Sequence, residues 1–231
     1  MSKTIVIVGA SRGIGRELAI RFSSDSNNRV YALSRYREAP EPDEFSLYPN
    51  ITPVVFDLAQ DDTRIKAERF FDSLSNIDIL INNAGKLVNR PFTELTREDF
   101  VSSYQVNIIG VMELIQAAVP KMLPKGGHIV NISSMGGFQG TVKFPGLAAY
   151  STSKAALASF TELFAEEYKE TRIKMNCLCL GAVQTEMLEE AFPGYEAPID
   201  APEMAEYIHE FAENAHRFMN GKIIPVSLST P

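Results

Sequence analysis

Seven short runs of β-branched and other apolar residues, at 4–8, 29–33, 51–56, 77–81, 128–132, 174–178 and 222–226, alternate with longer helix-forming stretches along the chain. A strand with one wet face alternates apolar and polar residues, whereas these runs are apolar almost throughout and need cover on both faces. Helices placed between such strands supply that cover, so the pattern predicts an α/β doubly wound fold with a seven-stranded parallel sheet flanked by helices. The helices are expected at 13–24, 62–74, 98–122, 148–170 and 202–214, with Thr96 and Asp200 among the residues offering cap chemistry. The Pro- and Glu-rich stretch 38–49 reads as a surface connection, and 192–202, with three prolines, as a loop over an open end of the sheet. Neither is long enough to separate domains. With 231 residues, 45% hydrophobic and 22% charged, the chain is expected to form a single domain over 1–231 around one core.

Composition removes several classes of partner. The net charge is −7 and Lys and Arg form no run, so neither a nucleic-acid backbone nor an anionic membrane is an expected partner. Met1-Ser2-Lys3 leads directly into the run 4–8, which is too short for a secretory core, and no other apolar run approaches spanning length. A soluble, cytoplasmic protein is the expectation. Cys177 and Cys179 stand two apart in a strand, which points both side chains to one face without disulfide geometry and suggests two small core residues. His128, His209 and His216 fall at no ligand-like spacing, so no metal site is expected.

The first strand passes directly into Val8-Gly9-Ala10-Ser11-Arg12-Gly13-Ile14-Gly15 and then into the first helix. At that junction unpaired backbone N–H groups and the helix dipole suit a cofactor pyrophosphate. Gly9 can turn sharply, and Gly13 and Gly15 permit a close approach that a side chain would block. An ordinary tight turn is the competing reading. After the second strand, where an NAD-binding chain commonly places an acidic residue against the ribose 2′-hydroxyl, Ser34-Arg35 stands instead. Arg35 together with Arg12 suits the 2′-phosphate of NADP, so NADP(H) is expected over NAD(H), each charge-assisted contact being worth about 1.5–3 kcal/mol. Two solvated surface arginines would be the plainer reading.

In Tyr150-Ser151-Thr152-Ser153-Lys154 a phenol and an ammonium stand four residues apart, on one face of the expected helix. A free phenol titrates near pH ~10, and an ammonium confined beside it would favour the phenolate. A solvated helix face would show the same pair without any proton chemistry.

With the glycine turn, Asn82-Asn83-Ala84-Gly85 after the fourth strand, Asn107, Ile132-Ser133-Ser134 after the fifth, and Tyr150 to Lys154, the chain strongly resembles the short-chain dehydrogenase/reductase family. The resemblance covers residues 3–226 and implies a Rossmann fold. It further implies that Tyr150 is the general acid or base, that Lys154 lowers its pKa and holds the nicotinamide ribose, that Ser134 hydrogen-bonds the substrate carbonyl, and that Asn107 completes a proton relay through a water. Gly9, Ser11, Arg12, Gly13, Ile14 and Gly15 align with the family's cofactor turn, Asp57 and Leu58 with its adenine pocket, and Asn83, Ala84 and Gly85 with its central cofactor-side motif. Asn83 and Gly85 could instead secure the sheet, and Asp57 could cap the next turn. Ser133 competes with Ser134, because adjacent strand-end residues point in opposite directions; Ser134 is the expected one.

The chain also departs from that pattern. The segment 135–149 is a few residues longer than usual and is expected to wall the substrate site. The family's proline-glycine pair after the sixth strand is Leu180-Gly181 here. Val183 and Thr185 remain suited to contact the nicotinamide carboxamide, although Thr185 could simply cap a following helix. The segment 186–201 is short for a substrate lid, and its Met187, Leu188, Phe192 and Tyr195 suit either a substrate cover or ordinary packing. Residues 225–229 lack the family's acidic-Gly-Gly ending.

The implied activity is that of an NADPH-dependent carbonyl reductase, moving hydride between NADP(H) and a small-molecule ketone, aldehyde or secondary alcohol. A non-catalytic NADP-responsive binding protein is the alternative from another class, one that would need the turn but not the proton donor. The long apolar faces of 98–122 and 148–170 pack between subunits in relatives, so a homodimer or homotetramer is expected, unless those faces belong to the core of one chain.

Overall fold

The computed structural model describes residues 2–35, 44–141 and 143–228. The strands are β1 Thr4–Val8, β2 Arg29–Ser34, β3 Ile51–Val55, β4 Ile79–Asn82, β5 Gly127–Ser134, β6 Ile173–Leu180 and β7 Ile223–Val226. They form one all-parallel sheet in the order β3-β2-β1-β4-β5-β6-β7. Strand order reverses direction between β1 and β4, and the crevice beyond the carboxyl ends of those two strands is where open α/β sheets bind ligands.

Helices cover both faces, as the uninterrupted apolar runs demand. Ile5 and Ile7 of β1 face α1 (Gly13–Ser23) and α7 (Ala201–Asn214), packing with Leu18, Phe22, Met204 and Ile208. Val6 and Val8, pointing the other way, join the cluster built on α2 (Thr63–Asp72), α4 (Gly110–Met122) and α5 (Ala148–Glu167) through Phe71, Leu114, Ile115 and Leu157. Burial on both faces holds for the central strands and fails at the edges: β3 exposes Thr52, Pro53 and Val55. Pro53 and Pro225 lie on the two edge strands, where a missing ladder donor costs least.

The helix expected over 98–122 is broken. It consists of α3 (Arg97–Tyr104), a π-helical turn at Gln105–Ile109 and then α4. Thr96 opens α3 with a capping box shared with Asp99, and Asp200 caps α7 by accepting the Glu203 N–H at 2.8 Å. A methyl group at Gly110 would stand 2.4 Å from the Leu58 carbonyl oxygen, so the start of α4 is pressed against the turn after β3. A short helix that the sequence reading did not place, α6 (Glu186–Ala191), rises from the segment 186–201. Of the connection expected at 38–49, residues up to 43 lie outside the described ones and Glu44–Leu47 form one 3₁₀ turn. Val142 and Ser229, in two other segments singled out from the sequence, also lie outside them.

Cys177 and Cys179 are free thiols buried on one face of β6, against Met135 and Ala158, as their spacing suggests. Among the described residues no helix is long and apolar enough to cross a membrane.

The core also holds polar groups that hydrophobic periodicity does not reveal. Asn82 donates to the Asn131 side chain at 2.8 Å, and Asn131 donates to the Thr161 hydroxyl at 2.9 Å, fastening β4, β5 and α5 to one another. His128 on β5 is 1% exposed, with Nδ1 2.9 Å from the Ala212 carbonyl oxygen and Nε2 3.0 Å from the Asn176 amide nitrogen. Those partners fit a neutral ring, with Nδ1–H donating and Nε2 accepting. Burial pushes the His128 pKa down from 6.5 to about 4. Below pH 6.5 the unfolded chain takes up a proton that the folded ring refuses, so this contribution to stability is whole above that pH and is lost as pH falls toward 4. We expect denaturant titrations to show the wild type losing about 3 kcal/mol over that window relative to His128→Asn. Parallel pH profiles would refute it.

Candidate active site

The turn after β1 is shaped by close contacts with the turn after β4. Gly9 has φ +86°, and a Cβ there would lie 2.6 Å from the Ala84 backbone. The N–H groups of Gly9 and Ala10 both reach the Leu33 carbonyl, at 2.8 and 3.0 Å, and the Asn83 side chain donates to the Gly9 carbonyl at 2.8 Å. Gly15 enters the same junction: its Cβ would stand 2.0 Å from the Gly9 oxygen. Asn83 therefore secures the turn after β1. Ile14 packs on the core beside it. Helix α1 begins without a side-chain cap at Arg12 and without an acidic residue in its first turn, leaving its first N–H groups to be met by a ligand anion. The cradle fits a dinucleotide pyrophosphate on these two observations.

The flanking positions fall as follows. Ser34 ends β2 half-buried, and Arg35 follows it, exposed. Asp57 accepts the Ala59 N–H at 2.9 Å, the capping habit weighed for it, while the Leu58 side chain is buried in the core and only its backbone lines the turn. Arg12 is paired at the surface: both of its terminal nitrogens bond the Glu190 carboxylate of α6, one at 3.0 Å.

At the carboxyl end of β5, Ser133 and Ser134 diverge as adjacent strand residues must. Ser133 is buried and donates to the Lys154 carbonyl at 2.9 Å, which makes it a strut between β5 and α5. The Ser134 hydroxyl lies near enough to the Tyr150 hydroxyl to influence its titration, and it accepts the Gly136 N–H at 3.2 Å. Their closeness depends on two glycines absent from the sequence reading. A Cβ at Gly136 would lie 2.6 Å from Ser151 Oγ, and one at Gly137 would lie 2.8 Å from the Ala155 nitrogen, so the turn after β5 rests directly on the backbone of α5. Lys143, from the long segment 135–149, holds that turn by donating to the Gly136 carbonyl at 3.1 Å and to the Phe138 carbonyl.

Lys154 is 3% exposed, and its ammonium donates to the Ile132 carbonyl at 2.8 Å. Burial lowers its pKa to about 8, so it still carries charge at neutral pH. The ammonium does not bring the Tyr150 phenol below its ordinary value. Burial pushes Tyr150 up to about 12, and the neighbouring Ser134 acts in the opposite direction. The ammonium sits 6.0 Å from the centre of the Tyr150 ring and is already engaged by backbone, whereas loss of water penalises the phenolate directly.

Asn107 lies in the π-helical turn and is fully buried. Its Oδ1 accepts the Lys86 N–H at 2.7 Å, and its Nδ2 donates to the Lys86 carbonyl at 3.0 Å and to the Ser153 hydroxyl at 2.8 Å. It thus fixes the segment after Gly85 against α5, and a Cβ at Gly85 would sit 3.4 Å from the Lys154 ammonium and 3.6 Å from Asn107 Oδ1. Ser153, inside the Tyr150–Lys154 stretch, is the partner that sequence alone left unassigned; its small size at the face of α5 toward Asn107 was the available signal.

After β6, Val183 is buried and Thr185 caps α6 by accepting the Leu188 N–H at 3.3 Å. Gln184 fastens the segment that follows. Its N–H reaches the Ile199 carbonyl at 2.8 Å, and its side-chain oxygen accepts the Ala197 N–H at 2.9 Å, closing the stem of the 186–201 segment. Met187, Leu188 and Phe192 are half-buried and Tyr195 is exposed, so the segment is a surface flap and not core.

One crevice thus gathers a glycine cradle, a hydroxyl pair and a buried ammonium. Residues 3–196 match the short chain dehydrogenase family. The chain belongs to that family. It is therefore an oxidoreductase of the kind that acts on CH–OH and C=O groups with a nicotinamide cofactor. It is 34% identical over 187 residues to carbonyl reductase (NADPH) 2 of Sus scrofa, covering 79% of this chain and 72% of that one. Carbonyl reductase family member 4 of Danio rerio is 35% identical over 191 residues, covering 81% and 78%. Among solved structures, a short-chain type dehydrogenase/reductase from Mycobacterium marinum superposes with a TM-score of 0.86 at 26% identity, over 97% of this chain and 94% of its own.

Because the Gly15 clash is with a backbone carbonyl and cannot be relieved by a rotamer, Gly15→Ala should cost about 1–3 kcal/mol of stability. It should also abolish cofactor binding. Thermal melts and titration of cofactor fluorescence test this; a variant that binds as the wild type does would disprove the cradle.

Proposed function

We propose that this protein is an NADP(H)-dependent carbonyl reductase acting on a ketone or aldehyde, or on a secondary alcohol in the reverse direction. The observation that carries the reading is the placing of the Ser134 hydroxyl beside that of Tyr150 at the carboxyl end of the sheet, backed by the buried Lys154. When bound, the nicotinamide supplies a hydride to the carbonyl carbon. Ser134 and Tyr150 would both donate to the substrate oxygen, stabilising the negative charge that develops there, and Tyr150 would release its proton to it. Its raised pKa suits this direction, since the phenol is held protonated at neutral pH. Lys154 would hold a ribose hydroxyl and repay part of the cost of a transient phenolate. Asn107 would keep the Gly85–Lys86 backbone in register with that ammonium.

Gly9, Ser11, Arg12, Gly13, Ile14 and Gly15 would receive the pyrophosphate, and Ser34 and Arg35 with Arg12 the 2′-phosphate. Asp57 and Leu58 would border the adenine, Asn83, Ala84 and Gly85 the central cofactor edge, and Val183 and Thr185 the carboxamide. The preference for NADP(H) is supported by the two arginines and by the name of the Sus scrofa relative. Exposed Val101, Ile109, Met112 and Leu163 on α3, the π turn, α4 and α5 support association into a homodimer or homotetramer, which light scattering would test.

Oxidation of NADPH across a panel of ketones, aldehydes, diketones and ketoacyl thioesters is the direct assay. Tyr150→Phe should lower kcat by about 10²–10⁴-fold with cofactor affinity retained. Ser134→Ala should cost more turnover than Ser133→Ala, the latter acting chiefly on stability. Reduction should be nearly flat between pH ~6 and ~8, while alcohol oxidation, which needs the phenolate, should rise with pH. Cofactor binding without Tyr150-dependent turnover on any substrate would instead favour a cofactor-responsive binding protein.

A further inference from the structure

We propose that Glu190 is a cofactor-selectivity residue, a carboxylate on the α6 flap that competes with the NADP 2′-phosphate for Arg12. This rests on the reading of Arg12 as a 2′-phosphate ligand. Three features of the site carry it. First, both terminal nitrogens of Arg12 are taken by Glu190, so the fork that would receive a phosphate is turned toward the flap. Second, the flap sets a further carboxylate beside the cradle: Glu186 Oε2 lies 3.4 Å from where a Cβ on Gly13 would stand, at the head of α1. Third, the flap is fixed independently of Arg12. Its stem is closed by Gln184, and the Asn89 side chain donates to the Ala191 carbonyl at 2.9 Å on its far side.

The pair is built to be displaced. The Arg12 and Glu190 side chains are 41% and 61% exposed, and an ion pair so wet is worth little to the fold. A phosphate monoester, carrying up to two negative charges and three acceptor oxygens, outbids a carboxylate for a guanidinium. Both anions cannot hold the fork together without repelling each other. NADH lacks the phosphate and leaves the pair intact. Glu190 therefore lowers affinity for NADPH alone, whereas Glu186, near the pyrophosphate position common to both cofactors, would lower affinity for both.

The test is titration of NADPH and NADH fluorescence against wild type, Glu190→Gln, Glu186→Gln, Arg12→Met and the Arg12→Met/Glu190→Gln double variant, each checked by thermal melt. We expect Glu190→Gln to tighten NADPH about two- to fivefold and leave NADH unchanged, the range set by exposed ion pairs. Arg12→Met should weaken NADPH about tenfold or more, and on that background Glu190→Gln should have no effect. Weakening by Arg12→Met with NADPH unmoved by Glu190→Gln would overturn this inference alone. Equal tightening of both cofactors by Glu190→Gln, as expected of Glu186→Gln, would reduce it to a general charge effect and also overturn it. NADPH affinity unaltered by Arg12→Met would remove the reading of Arg12 on which it depends.

Discussion

Parallel strands buried on both faces can offer chemistry only at their ends. In β1, Ile5 and Ile7 are committed to one helical layer and Val6 and Val8 to the other, so no side chain along the strand is free to meet a ligand. The carboxyl ends of β1, β4, β5 and β6 then become the working surface, and the reversal of strand order between β1 and β4 opens a crevice there. The residues given a chemical part lie at or just beyond the carboxyl ends of β1 to β6, or on a helix that leans over them.

What brings those parts together is the removal of side chains at points of contact. Gly9 and Gly15 let the first turn close on Ala84 and on itself, and Gly136 and Gly137 let the turn after β5 lie on the backbone of α5. That second contact sets Ser134 against Tyr150. Polar struts then fix what the glycines allow: Asn83 holds the first turn, Asn107 holds the backbone after Gly85, and Ser133 holds α5 to β5. Substitution at a glycine and substitution at a strut would thus fail differently, the first by collision and the second by leaving buried donors unmet.

The electrostatics follow from the same burial. Enclosure opposes the charged form of both groups, pushing the Tyr150 phenol up and the Lys154 ammonium down. At the other end of β5, enclosure holds His128 neutral with no catalytic consequence. A perturbed pKa marks burial in both places; position at the crevice distinguishes the two.

The sequence by itself determined the seven strands, the sheet class and most of the crevice, because apolar periodicity and glycines at strand ends are local signals. It also separated the two serines, since opposite pointing at a strand end is a property of the backbone. It did not reveal the π turn that carries Asn107, the pairing of Arg12 with Glu190, the Gln184 clasp, or the burial that opposes the Tyr150 phenolate. Each of these joins residues far apart in the chain or depends on how much water is excluded from a group. Such distances and enclosures exist only once the helices have packed, so the tertiary structure alone decided them.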